Sequence, residues 1–239
     1  MSMTEKKHQS TFCCQHSGGN DQACVSLVPI FNHLENDQLN EIMQTVKSVR
    51  FNKGEFIYTA DDEVDSLYIV SEGKIKIFHL SESGKELLIR VLQPGDFTGE
   101  LALFQDSIHK GFAQTVIDTQ VCVIKRSILQ ELLLKYPSIS LKILAEFASR
   151  LEKSEKQTIR YATEKVETRI ALYLAECMHI TPASNEIKLP VSYKDLASYL
   201  GTTPESISRT LTRFEEQGFI KKEKQHVLEI LDLDGLLLV

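Results

Sequence analysis

The sequence predicts an α+β chain with a small antiparallel β-domain, a long central helix and a small α-rich domain at the C-terminus. Three observations lead there. Short alternating apolar runs separated by glycine-rich turns fill Val49 to Lys125. An apolar repeat of three and four residues begins after Ile128. Two short helical patterns joined at Gly201 follow. The chain has 239 residues, 42% hydrophobic and 25% charged, enough for two bodies with cores of their own.

Residues 1–26 form a polar, cysteine-containing arm in which Gly18-Gly19-Asn20 makes a flexible joint. Met1 to Ser10 lacks the apolar core of a signal peptide, and no run is long and apolar enough to span a bilayer. A cytoplasmic protein with no membrane partner is expected. Val28-Pro29 to Val46 reads as a short helical region with Leu34, Leu39, Ile42, Met43 and Val46 on its apolar face. The β-domain spans 27–135. Leu67 to Val70, Lys74 to Phe78 and Leu87 to Leu92 alternate as strands, and Glu72-Gly73, Glu82-Ser83-Gly84-Lys85 and Gln93-Pro94-Gly95-Asp96 turn between them. Such spacing points to a small barrel or sandwich.

Residues 136–163 read as one long helix. Leu144, Phe147, Leu151, Ser154, Thr158 and Tyr161 recur at steps of three and four, apolar at first and polar later. An exposed helix with one apolar stripe needs a partner. A second copy of the chain is favoured, because only the first half of the stripe is apolar enough to lie on a core. The candidate dimer seam is therefore Leu144, Phe147, Leu151, Ser154 and Thr158, and its polar end implies a dimer that is not tight.

Residues 164–239 make the last domain. Val166 to His179 is amphipathic through Ile170, Leu172 and Leu174. Ser192 is an N-cap with Asp195 three residues on, Gly201 ends the following helix, and Thr203 with Pro204 starts the next. Helix, short glycine turn, helix is the helix-turn-helix layout. The second helix runs to about Gln217. Ile207, Leu211 and Phe214 form its buried face, and Glu205, Ser208, Arg209 and Thr212 form an outward face near its start. A helix of this kind enters the major groove with those residues toward base edges. Arginine pairs with guanine O6 and N7, and a carboxylate accepts from cytosine N4. Thr203 and Ser206 complete the candidate DNA-binding set. Arg213, Lys221, Lys222 and Lys224 are placed to neutralise phosphates. Phe219-Ile220 and Val227 to Ile230 read as a hairpin wing.

Net charge is −6, and from Ala162 onward nine Lys and Arg face twelve Asp and Glu. DNA binding must therefore rest on a few local contacts and be strongly salt-sensitive. The chain lacks a Walker motif, paired catalytic carboxylates and a supported Ser/His/Asp set, so no enzyme is expected.

The order of these parts resembles the Crp/Fnr superfamily of bacterial regulators over roughly Val28 to Leu237. Pro94-Gly95-Asp96-Phe97 through Gly99-Glu100-Leu101-Ala102-Leu103 is similar to that family's cyclic-nucleotide-binding β-roll, and Thr203-Pro204-Glu205-Ser206-Ile207-Ser208-Arg209 resembles its recognition helix. The resemblance implies a β-roll sensor, a dimerisation helix and a winged helix-turn-helix, with homodimers on palindromic DNA and RNA polymerase as partner. Members that bind cyclic AMP carry an Arg-Ser pair after the Gly-Glu. Here the matching stretch is His109-Lys110-Gly111-Phe112-Ala113, so cyclic AMP is not expected, and Gly99 and Glu100 mark only a weak effector pocket.

Phe112-Ala113-Gln114 through Val121-Cys122, and the Glu205, Ser208, Arg209 pattern, are similar to the Fnr-like branch. That implies half-sites like TTGAT, with the arginine on guanine. It also implies a redox sensor in which a cysteine at the Cys122 position joins three N-terminal cysteines on a [4Fe–4S] cluster. Cys13, Cys14, Cys24 and Cys122 supply four thiols, with His16 as a substitute ligand. Their spacing departs from the branch, which has two residues between its first two cysteines and five before the next. Adjacent Cys13 and Cys14 point apart in an extended chain. Two other readings stand beside the cluster: a dithiol switch between the arm and Cys122, as in the Flp type, and zinc at Cys13, Cys14, His16 and Cys24. A roll that binds a small-molecule effector other than a cyclic nucleotide is the further alternative. Cys177 reads as structural.

Overall fold

The computed structural model describes residues 28–104, 107–180, 185–223 and 227–239. Two compact units emerge. One takes in the described residues up to Ile77 together with Leu92–Ala148, the other Phe78–Val91 and Ser149–Val239.

In the first unit the predicted helical region divides. Residues 28–34 form hydrogen-bonded turns, with the Phe31 and Asn32 amides donating to the Val28 carbonyl at 2.9 and 3.0 Å. Helix α1 is only Asn36–Thr45. Pro29 has no N–H to continue a helical ladder, and the Glu35 amide donates to Gln38 Oε1 at 3.0 Å where α1 starts.

Strands β1 (Lys47–Phe51), β2 (Phe56–Tyr58), β3 (Ser66–Glu72), β4 (Ile75–Leu80), β5 (Glu86–Leu92), β6 (Phe97–Thr98), β7 (Phe112–Thr115) and β8 (Thr119–Lys125) build two four-stranded sheets. Their orders are β1-β8-β3-β6 and β2-β7-β4-β5. Alternation along the strands sorts their side chains into two cores. Val70, Val121 and Ala113 lie in a cluster shared by the two sheets. Leu67, Ile69, Cys122 and Ile124 lie in another with Val28, Ile30, Phe31, Ile42 and the helices. Those helices are α1, α2 (Arg126–Lys135) and the first turns of α3 (Pro137–Thr163), which buries Ile139 and Ile143.

The second unit holds α4 (Val166–Ile180), α5 (Tyr193–Tyr199), α6 (Pro204–Glu216), a three-stranded wing and the short α7 (Leu233–Leu237). The wing strands β9 (Glu186–Lys188), β10 (Ile220–Lys222) and β11 (Val227–Ile230) pair in the order β10-β11-β9. Ile170, Leu174, Leu196, Ile207, Leu211, Phe214, Ile220, Leu228 and Leu236 close one apolar core. The end of α3 is tied to this unit by polar contacts. The Tyr161 hydroxyl donates to the Tyr199 carbonyl, and Arg160 pairs with Glu176 at 2.6 Å. Leu88 belongs to the same core. Its amide donates to Ser198 Oγ at 2.8 Å, and the Ser198 hydroxyl donates to the Glu86 carbonyl at 2.6 Å.

Candidate nucleic-acid interface and sensor residues

Two helices and their caps set the geometry of the recognition element. Ser192 Oγ accepts the Asp195 amide at 3.1 Å and fixes the start of α5. At its end Gly201 takes a left-handed backbone, φ 64°. The Thr202 amide returns to the Ala197 carbonyl at 2.9 Å and the Gly201 amide to the Ser198 carbonyl at 3.3 Å. This pair of bonds is a Schellman cap, which a residue with a β-carbon closes at a cost. The chain re-enters a helix almost at once. Thr203 Oγ1 accepts the Ser206 amide at 3.2 Å, and Pro204 occupies the first turn.

Helix α6 buries Ile207, Thr210, Leu211 and Phe214 and leaves Glu205, Ser208, Arg209 and Thr212 exposed. The Glu205 carboxyl is held below its ordinary range by its own backbone amide, then by the Thr203 hydroxyl and the charge of Arg209, so it stands ready as an ionised acceptor. No ion pair engages Arg209 among the described residues. The Thr212 hydroxyl donates to the Ser208 carbonyl at 3.0 Å and accepts from Lys222 Nζ at the same distance.

The flanking cations depart from the sequence expectation. Arg213 pairs with Glu167 at 2.5 Å, Lys222 with Glu215 at 2.9 Å, and Lys221 with Glu223 at 2.6 Å. The partners lie 46 residues away on another helix, seven residues back on α6, and two residues on, so neither motif nor spacing points to all three. Lys224 lies outside the described residues. A concavity of about 390 Å³ is lined by Val166, Glu167, Ser206, Arg209, Thr210 and Arg213.

Known proteins share both halves. Residues 48–136 match a cyclic nucleotide-binding domain, and residues 168–238 match a Crp-like helix-turn-helix domain. The probable transcriptional regulator flp of Lacticaseibacillus casei is 32% identical over 86% of this chain and 93% of its own. The anaerobic regulatory protein of Haemophilus influenzae is 31% identical over 97% and 90%.

The chain belongs to the Crp/Fnr family.

This Crp/Fnr chain, a DNA-binding transcription regulator of that type, superposes on FixK2 from Bradyrhizobium japonicum with a TM-score of 0.72. Sequence identity there is 25%, covering 80% of this chain and 95% of that one. A CooA mutant from Carboxydothermus hydrogenoformans shares the fold, with a TM-score of 0.74 at 20% identity over 88% and 93%. The relatives' names place it in the Fnr-like branch. No helix of the regulator is long and apolar enough to cross a membrane among the described residues.

The structure places the remaining candidates unevenly. Cys13, Cys14, Cys24 and His16 lie outside the described residues. Cys122 is 3% exposed on β8, opposite Ser48 of β1 and Ile69 of β3. It shares its apolar cluster with Val28, the first described residue after the arm. Among the described residues no three His, Cys, Asp or Glu side chains stand together to hold a metal. Cys177 is half-buried beside Tyr173, and burial pushes its thiol pKa up.

In the roll of this regulator, Gly99 has φ 84°, and a β-carbon there would collide with the Ser66 carbonyl. His109 is buried and stacks on Tyr58 with ring centroids 3.5 Å apart. Burial lowers its pKa against the pull of Asp62, Glu100 and Asp65.

Along α3, Leu144 and Leu151 are exposed, as are Ser154 and Thr158. Phe147 departs from the predicted stripe. It is half-buried against the first unit's core and meets Phe104 at 5.6 Å between ring centroids. Ile139, Ile143 and Phe147 step by four along one face, while Leu141, Leu144 and Leu151 occupy the other. Leu141, 69% exposed, is the seam candidate the sequence pattern passed over.

Proposed function

We propose that this regulator binds palindromic duplex DNA as a homodimer, with α6 of each copy in the major groove over a half-site like TTGAT. The exposed polar start of α6 carries this reading: an ionised Glu205 and an Arg209 without an ion pair stand side by side on a helix whose other face is fully buried. Arg209 would take guanine, Glu205 a cytosine amine, and Thr203, Ser206, Ser208, Thr212 and Arg213 would fix the helix on backbone and base edges. The second copy would pair along the exposed face of α3 through Leu144 and Leu151. RNA polymerase is the partner expected at the bound promoter.

The signal in this proposal is oxidation of thiols. Cys122 shares a packed cluster with Val28, which follows the arm and stands four residues after Cys24 in the sequence. A peroxide would supply the oxidising equivalents. The two thiols form one S–S bond, the O–O bond breaks, and both thiol protons leave on the oxygens as water or alcohol. Cys122 is enclosed, so residues near Val28 must lift for this to occur. The other candidate donors to a cluster, Cys13, Cys14 and Cys24, lie outside the described residues, and a cluster at these same cysteines is the second reading of the signal. A cyclic phosphate is disfavoured in the roll, since His109 faces Asp62, Glu100 and Asp65 there instead of an arginine.

Arg209→Ala tests the DNA reading. Losing one bidentate guanine contact is expected to cost about 1–3 kcal/mol of discrimination per half-site, read as lost preference for a TTGAT palindrome over a random duplex. Preserved preference would overturn the assignment. For the signal, oxidised wild type should lose two free thiols and change its operator affinity, and Cys122→Ser should do neither. Iron and sulfide in anaerobically purified protein would replace the disulfide with a cluster at the same cysteines.

A further inference from the structure

Among the described residues, two cations bordering the outward face of α6 already have a carboxylate. Arg213 sits one turn beyond Arg209 and pairs with Glu167 at 2.5 Å; Lys222, on the opposite flank beside Thr212, pairs with Glu215 at 2.9 Å. The two pairs differ in kind. Glu215 belongs to α6 and also accepts the Lys222 amide at 2.8 Å, so it helps seat the wing. Glu167 comes from the first turn of α4, and it and Arg213 line one concavity about 390 Å³ in volume. Both partners stay wet, with Arg213 44% and Glu167 40% exposed. An exposed pair of this sort adds little to folding. Its effect lies where a phosphate would arrive.

We infer that Glu167 is a built-in competitor for DNA phosphate at Arg213, and so sets the affinity of the recognition element for any duplex. A phosphate that takes Arg213 must displace a carboxylate of the same charge. The pair is neutral as a unit, so docking it against DNA displaces almost no counterions. Free of Glu167, Arg213 would displace about 0.9 of one. In a domain already short of positive charge, this keeps sequence-independent binding weak and leaves base contacts to decide where the protein stays. The inference rests on α6 being the DNA-reading helix, a premise with its own control below.

The test uses the full-length protein in its DNA-binding redox state, with a random duplex and a TTGAT palindrome titrated over a range of salt concentrations. Glu167→Gln should bind the random duplex about threefold to tenfold more tightly at low salt, with a log-affinity against log-salt slope steeper by about 0.9. Glu167→Asp, which keeps the charge, should behave like wild type. Placing Glu167→Gln in an Arg213→Gln background should abolish the change in slope. An unchanged slope in Glu167→Gln would overturn the inference, as would an equal change in the double variant. Arg209→Ala separates the premise: if it keeps operator preference, α6 is not the reader, whatever Glu167 does.

Discussion

Arg209 and Arg213 are one helical turn apart, yet their surroundings give them different work. Arg209 makes no ion pair among the described residues and lies within reach of the Glu205 charge, whereas Arg213 is held by Glu167. Sequence reasoning found both arginines because the Thr203 and Pro204 cap fixes where the helix starts, and so which residues face outward along it. It missed Glu167 because that contact joins two helices whose juxtaposition no local spacing encodes. His109 shows the same limit. Its position in the chain was legible, but its stack on Tyr58 depends on β-roll packing. A prediction follows from that burial. Folded His109 resists protonation more than an unfolded histidine, so stability is full above about pH 6.5 and falls as pH drops toward the folded value. His33 shifts the same way through weaker burial, so it adds to the slope. The melting temperature of wild type should decline from about pH 7 to about pH 5, and His109→Phe should flatten part of that decline. An identical profile in the variant would remove His109 as the cause.

The elements were read from the sequence with unequal success, and the reasons are physical. Helices α5 and α6 were legible because their ends carry their own signals: Ser192, Gly201, Thr203 and Pro204 each solve a backbone problem locally. Helix α3 was legible in length but not in register. A step of three or four from Leu144 reaches Phe147 or Ala148 alike, and only the packed core shows that Phe147 turns inward. The two faces make separable predictions. Leu144→Asp should convert dimer to monomer in sedimentation while leaving helix content intact. Phe147→Ala should lower thermal stability, by roughly 1–3 kcal/mol for a half-buried aromatic, with little effect on assembly. If Phe147→Ala alone dissociated the dimer, the seam would have the register first expected from the sequence.

For the whole molecule, the sequence separates two bodies by pattern, period two followed by period 3.6, and the structure divides into two compact units with α3 belonging to both. What was not legible is that Phe78–Val91 groups with the second unit, because Leu88 and Ser198 meet through folding over 110 residues of chain. In the proposed function a signal at Cys122 would arise in the first unit and DNA reading in the second, and α3 is one of the chain segments that run through both. Such a signal would act by favouring one arrangement of the two copies over another. Palindromic DNA requires both recognition helices at once, about one helical turn apart. The most direct test counts chains on DNA. Sedimentation of the full-length protein with a TTGAT palindrome at low salt should give two chains per duplex, a clear preference over random sequence, and steep loss of binding as salt rises. One chain per duplex, or no preference under both reducing and oxidising conditions, would contradict the account.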